Sequence, residues 1–151
     1  MSDTPSGLIC RAWRFVMVMT REVDYALRCV LEIARRGRAG TGEIAEAQGV
    51  PASFLGKIVS ALARAGIVTT RRGVGGGVML ARAPASITVL EVIEAIQGPF
   101  TINYCVGDPC NCDRSDDCAL KPVCDRAQHA MIEAFNVSFE DLLDGSTGMG
   151  A

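Results

Sequence analysis

Apolar residues recur at intervals of three and four from Thr20 onward. Val23, Ala26, Leu27, Val30, Leu31 and Ala34 line one side of a helix that Gly37 stops. A short second helix is predicted over about Gly42–Gln48, with Thr41 as its N-cap, Ile44, Ala45 and Ala47 apolar, and Gly49 as its break. Pro51 suits the first turn of a third helix, about Ala52–Ala65, where Leu55, Ile58, Val59 and Leu62 share a face and Gly66 ends the pattern. Ser53, Gly56, Lys57, Ser60 and Arg64 then fall on the outer side. Two helices joined by a glycine-containing turn, the second polar outside, form a helix-turn-helix candidate.

The period changes in the next segment. The β-branched run Ile67–Thr70 and the apolar run Val78–Leu80 flank Gly73, Gly75, Gly76 and Gly77, which predicts a hairpin tipped with Arg71 and Arg72. Such a wing suits DNA, because glycines let backbone approach a phosphate closely. The same glycines lack the spacing of a P-loop or a dinucleotide fingerprint. Thr88 and Glu91 form a capping box that opens a helix over Val89–Gln97. A loop rich in Cys, Asp and Gly covers Pro99–Asp117, followed by a long helix over roughly Ala119–Phe135 and a short one near Ser138–Leu143.

The fold class is therefore mostly α with a small β-hairpin: a winged helix-turn-helix plus a long C-terminal dimerisation helix. The expected divisions are a flexible extension (1–16), a DNA-binding domain (17–98), a cysteine-rich cluster-binding loop (99–118), the dimerisation and C-terminal helices (119–144) and a disordered tail (145–151). Val123, Ala127, Ala130, Met131, Ala134 and Phe135 recur along the long helix. They serve either as a cap on the domain's own core or as the interface of a homodimer.

Charge changes the picture only when it is resolved along the chain. The net charge is −2 over 151 residues, which taken whole argues against nucleic acid. Residues 1–85 hold 12 Arg or Lys against 6 Asp or Glu, whereas residues 86–151 hold 3 against 11. That asymmetry predicts two parts with different partners. The positive part contains Lys57, Arg64, Arg71 and Arg72, spread over the face that would meet double-stranded DNA. A helix-turn-helix can also be plain scaffold. The longest uncharged run, Ala95–Gly107, has 13 residues and is too short to span a membrane. The N-terminal stretch, with Asp3, Arg11 and Arg14, does not read as a secretory signal, so the expected compartment is the cytoplasm.

Five of the seven cysteines (Cys105, Cys110, Cys112, Cys118 and Cys124) crowd into twenty residues, while Cys10 and Cys29 stand apart. In a chain without an export signal, such crowding predicts a metal site or redox thiols. The spacings are wider and less regular than paired zinc knuckles, which favours an iron–sulphur cluster. The lone His129 reads as an ordinary helix residue, and Cys124 as a packing thiol. Asp108, Asp113, Asp116 and Asp117 form a solvated acidic rim without calcium-loop spacing. No Cys-x-x-Cys pair exists, which speaks against a thiol oxidoreductase or electron carrier on a winged scaffold.

Four segments in order carry a family resemblance: MVMTREVDYALR, GVPASFLGKIVSALARAGIV, RRGVGGGVML and the loop cysteines. From about Met17 to Leu143 the chain resembles the Rrf2 family of winged-helix regulators, which has IscR and NsrR branches. The resemblance implies a homodimeric transcription factor on a pseudo-palindromic promoter, with the recognition helix in the major groove and the wing at the minor groove. It makes Ser53, Phe54 and Lys57 recognition-helix contacts and Arg72 the wing arginine. An acidic residue that discriminates sites in the IscR branch falls at Gly56, so no target sequence transfers.

The resemblance also implies three cluster ligands. The spacing of Cys112 and Cys118 matches the family's second and third, which makes Cys105 the first, with one extra residue between it and Cys112. The IscR branch's histidine position holds Lys121, which cannot ligate. The NsrR branch uses an aspartate of the partner's first helix, and that position is Asp24, which also has an ordinary surface role open to it. Cys110 and Cys124 are local substitutes. Both [2Fe–2S] and [4Fe–4S] remain open, and translation from Met17 is a further implication. The function expected is therefore a non-enzymatic DNA-binding regulator, a repressor, whose promoter binding follows a redox- or nitric-oxide-sensitive cluster. A thiol-disulphide or zinc-based switch on the same cysteines is the alternative.

Overall fold

The computed structural model describes residues 19–107, 114 and 117–145. The expected N-terminal extension, the residues 146–151 of the tail, and Asp108, Cys110, Cys112, Asp113 and Asp116 lie outside them. Helix α1 (Arg21–Arg36) begins at Thr20, whose hydroxyl accepts the Val23 N–H, and ends at Gly37 with φ +75°. Val23, Ala26, Cys29, Val30 and Ile33 on it are wholly buried. Helices α2 (Thr41–Gln48), α3 (Ala52–Arg64), α4 (Val89–Gln97) and α7 (Phe139–Asp144) all pack against α1, which is the hub of the core.

Several boundaries differ from expectation by a residue or two. Helix α2 is capped at Gly40 rather than Thr41, because the Glu43 carboxylate reaches back to the Gly40 N–H at 2.6 Å. The hairpin pairs β1 (Val68–Arg71) with β2 (Gly77–Leu80), Arg71 lying opposite Gly77. Arg71 therefore belongs to the last rung of the ladder, and the fully exposed Val74 occupies the tip.

The α1–α2 junction is held by a buried carboxylate. Glu32 accepts from Arg36 Nε at 2.5 Å and from Gln48 Nε2 at 2.6 Å, which satisfies both of its oxygens away from water. Helix α5 (Tyr104–Gly107) interrupts the stretch expected to be loop. Beyond α6 (Lys121–Phe135) the chain returns to the winged unit. Val89 N–H donates to Val137 O and Phe139 N–H to Ile87 O, each at 3.0 Å, and Phe139 is buried in the common core. Burying that ring contributes about 1.5–3 kcal/mol.

Candidate nucleic-acid interface and cysteine site

The apolar stripe of α3 fixes its orientation. Leu55, Ile58, Val59 and Leu62 are buried, so Ser53, Phe54, Gly56, Lys57, Ser60 and Arg64 are turned outward. Phe54 is not loose on that surface. Its ring meets Tyr25 of α1 edge-on, with centroids 5.8 Å apart at 65°. Glu22, Phe54, Lys57, Ile58, Ala61, Arg64 and Ile96 line a shallow groove beside α3. The Ser60 hydroxyl donates to the Gly56 carbonyl at 2.7 Å.

The wing lies beyond the end of α3. Arg71 and Arg72 are both exposed, and Arg71 also lines a depression with Thr41, Thr70 and Gly76. Ala39 and Val78 exchange backbone hydrogen bonds at 3.1 and 2.9 Å, which adds the segment after α1 to the edge of the hairpin. Beside it, Arg38 Nη1 donates to the carbonyl of Gly75 in the turn. Periodicity did not single out Arg38, since it follows a helix stop. The signal available was its place in the basic run Arg35, Arg36, Arg38.

Cys105 does not lie in an open loop. Cys105 sits on α5 and is buried, because Phe100 ahead of it anchors the chain in the core. Gln128 of α6, itself buried, donates to Phe100 O at 2.7 Å and accepts from Ile102 N–H at 2.9 Å. The rings of Phe100 and Phe135 meet edge-on at 5.5 Å. Cys118 precedes α6 and its carbonyl accepts the Lys121 N–H at 3.1 Å, while Cys124 lies in the first turns of that helix. Both thiols are half-buried.

Lys121 is the first residue of α6. Its ammonium is held above the ordinary lysine range, first by its hydrogen bonds to Asp125 at 2.7 and 3.0 Å, against partial desolvation. The charges of Asp125, Cys105 and Cys124 add to the shift. Helix α5, which carries Cys105, packs against α6, and Cys118 and Cys124 lie at the N-terminal end of α6. Among the described residues no three potential ligands are grouped closely enough to hold a metal ion. Cys112 and Cys110 lie outside those residues. Asp24 is on α1, half-exposed and paired with Arg28 at 3.0 Å. His129 is exposed on α6.

Helix α6 has two apolar faces. Gln128, Met131, Ile132 and Phe135 turn toward the core. Leu120 just ahead of it and Val123, Ala127, Ala130 and Ala134 on it are exposed, at 69% and 52% for the first two. The core-capping role therefore falls to Met131 and Phe135, while Val123, Ala127, Ala130 and Ala134 face outward. No helix among the described residues is long and apolar enough to cross a membrane.

The chain is similar to known proteins. An Rrf2-like HTH-type transcriptional regulator of Rhodobacter capsulatus is 32% identical over 140 residues, covering 86% of this chain and 89% of that protein. The HTH-type transcriptional regulator IscR of Escherichia coli is 34% identical over 105 residues, 68% of this chain and 64% of that one. The solved structure of CymR, the global cysteine regulator of B. subtilis, superposes with a TM-score of 0.69 at 25% identity, covering 82% of this chain and 94% of that chain. All three are regulators rather than enzymes. The Rrf2 family model, described as an iron-dependent transcriptional regulator, matches residues 19–145. With that span of sequence on a winged helix-turn-helix, the chain belongs to the Rrf2 family of DNA-binding transcriptional regulators.

Proposed function

We propose that this regulator is a cytoplasmic repressor whose promoter affinity follows an iron–sulphur cluster held by Cys105, Cys112 and Cys118. Asp24, Cys110 and Cys124 are the side chains available for a fourth position. The observation that carries this reading is the packing of α5, which holds Cys105, against α6, whose approach and first turns hold Cys118 and Cys124. Thiolates are the ligands that soft metals and iron–sulphur clusters take. A bound cluster would supply iron that reacts with oxidants or nitric oxide. The chain's own part is mechanical. Through Gln128, the segment carrying Cys105 is hydrogen-bonded to α6, so a displacement of one is felt by the other.

On the DNA side, Ser53, Phe54, Lys57 and Arg64 of α3 face the major groove, and Arg71 and Arg72 of the wing meet the backbone. Two copies joined along the exposed face of α6 would present two such surfaces at a fixed spacing, matching a pseudo-palindromic promoter. A small change in that spacing costs several contacts at once. At about 1–3 kcal/mol per specific contact, two or three suffice for a hundredfold change in affinity.

Anaerobic purification followed by absorbance, iron and sulphide assays tests the cluster, with the Cys105→Ala/Cys112→Ala/Cys118→Ala variant as control. A coloured, iron-containing wild type and a colourless variant with altered DNA binding are expected. A colourless, iron-free wild type whose DNA binding matches the triple variant sinks the reading. The half-buried thiols of Cys118 and Cys124 support a second reading, a thiol switch. A thiol count before and after oxidant, with a zinc assay, separates the two.

A further inference from the structure

We propose that Arg38 is a positioning residue for DNA binding: by tying the chain after α1 to the wing, it fixes where Arg71 and Arg72 meet the duplex. This rests on the reading of the wing as a backbone-contacting element. A two-stranded hairpin is marginally stable by itself in water, and this one ends in a turn of residues 72–76. The fully exposed Val74 contributes no packing there. The turn must therefore be held from elsewhere.

The segment Arg38–Ala39 supplies the hold in two places. Ala39 and Val78 exchange two backbone hydrogen bonds on the edge of β2. Farther along, Arg38 Nη1 donates to the carbonyl of Gly75, within the turn itself. Gly77 permits this approach, and Gly76 the tight turn itself. A Cβ at Gly77, where φ is +142°, would lie 3.0 Å from Ala39 O and 3.3 Å from Arg38 Cγ. At Gly76 a Cβ would fall on the Arg71 carbonyl oxygen and 2.8 Å from that of Gly73. At Gly75 it would lie 3.6 Å from Arg38 Nη1.

Gly76 and Gly77 are thus required by close packing within the chain, whatever the duplex asks of them. Arg71 closes the ladder opposite Gly77, and Arg72 starts the turn that Arg38 grips. With the grip released, the two arginines keep their charge and lose their fixed place. Ordering them on binding then costs conformational entropy that the free protein no longer prepays.

Replacing Arg38 by Met keeps the stem and removes the donor. Without DNA, amide hydrogen exchange should quicken at Gly76 and Val78, by roughly fivefold or more, while the α4 amides stay unchanged. With a generic duplex of about 30 base pairs at low salt, R38M should weaken binding roughly fivefold to tenfold in the wild-type background. In an Arg71→Ala/Arg72→Ala background the same change should cost less than about twofold, because nothing remains to be positioned. An equal loss in both backgrounds overturns the proposal and makes Arg38 a duplex contact in its own right. Unchanged wing exchange also overturns it. A wild type that binds no duplex overturns the DNA reading beneath it, and the exchange measurement then reports separately whether the grip exists.

Discussion

Gln128 holds Phe100 by a hydrogen bond of 2.7 Å from its side-chain amide, and the same side chain accepts from Ile102 at 2.9 Å. One α6 residue therefore fixes the backbone that leads into the Cys105 turn. Replacing it with Met removes both partners while keeping the length. An unsatisfied carbonyl at the buried Phe100 and an unsatisfied N–H at Ile102 should together cost about 1–3 kcal/mol. Urea denaturation of the metal-free protein reads that loss as a lower midpoint. Alkylation of Cys105 should quicken in parallel, since its turn is no longer held. A variant with wild-type midpoint and labelling rate would show that the bond restrains nothing.

Gly56 poses the opposite problem, a glycine that the fold does not need. It lies within α3, its φ is not positive, and a Cβ there would meet nothing within 4 Å. A helix-interior glycine costs about 0.5–1 kcal/mol relative to alanine. With no structural compensation, the remaining use is close approach of the duplex to the helix. G56A should therefore raise thermal stability by a few degrees and weaken promoter binding. Calorimetry and fluorescence anisotropy check the two halves. Equal or tighter DNA binding by the alanine variant would rule out close approach at this position.

The elements built on one amphipathic period were legible in the sequence. The Val23–Ile33 stripe, the Leu55–Leu62 stripe and the Thr88–Glu91 capping box each fixed a helix to within a residue or two, because local spacing decides them. What was not legible depends on contacts distant in sequence. Arg38 and Gly75 are 37 residues apart, and Gln128 and Phe100 are 28 apart. The burial of Cys105 could not be read from a loop full of aspartates, since it follows from Phe100 docking beneath Phe135. Helix α6 was ambiguous for a related reason. Its residues fall on two apolar faces, and a single stripe does not say which one meets the core.

The outward face of that helix carries the next prediction. Leu120, Val123, Ala127, Ala130 and Ala134 alternate by three and four and are all exposed, a seam narrow enough for close helix packing. In a two-fold dimer each residue of the seam meets its counterpart's surroundings, so a charge introduced once appears twice. A127E combined with A130E should convert a dimer to monomer in sedimentation velocity and lower promoter affinity at least about tenfold. Because both alanines are exposed in the protomer, its secondary structure by circular dichroism should not change. A variant that sediments like wild type would mean that the copies meet elsewhere.

Cys29 gives a pH signature that is independent of the loop thiols. It is wholly buried on α1 beside Val30 and Ile33, and burial pushes its thiol from 9.0 up to about 12. Between those values the unfolded chain releases the proton while the folded chain keeps it. The unfolded state then binds fewer protons, so stability falls as pH rises through this window, by up to about 1.4 kcal/mol per unit. Below pH 9 the thiol is neutral in both states and contributes no slope. The measurement is a difference, which removes every contribution common to the two proteins: urea midpoints of wild type and C29A at pH 8 and pH 10.5. The alanine variant should start less stable, for the volume it loses, and decline less steeply. Native wild-type protein should also resist alkylation at Cys29 at pH 8 until it is unfolded. Parallel pH slopes for the two proteins would show that the thiol ionises as easily folded as unfolded.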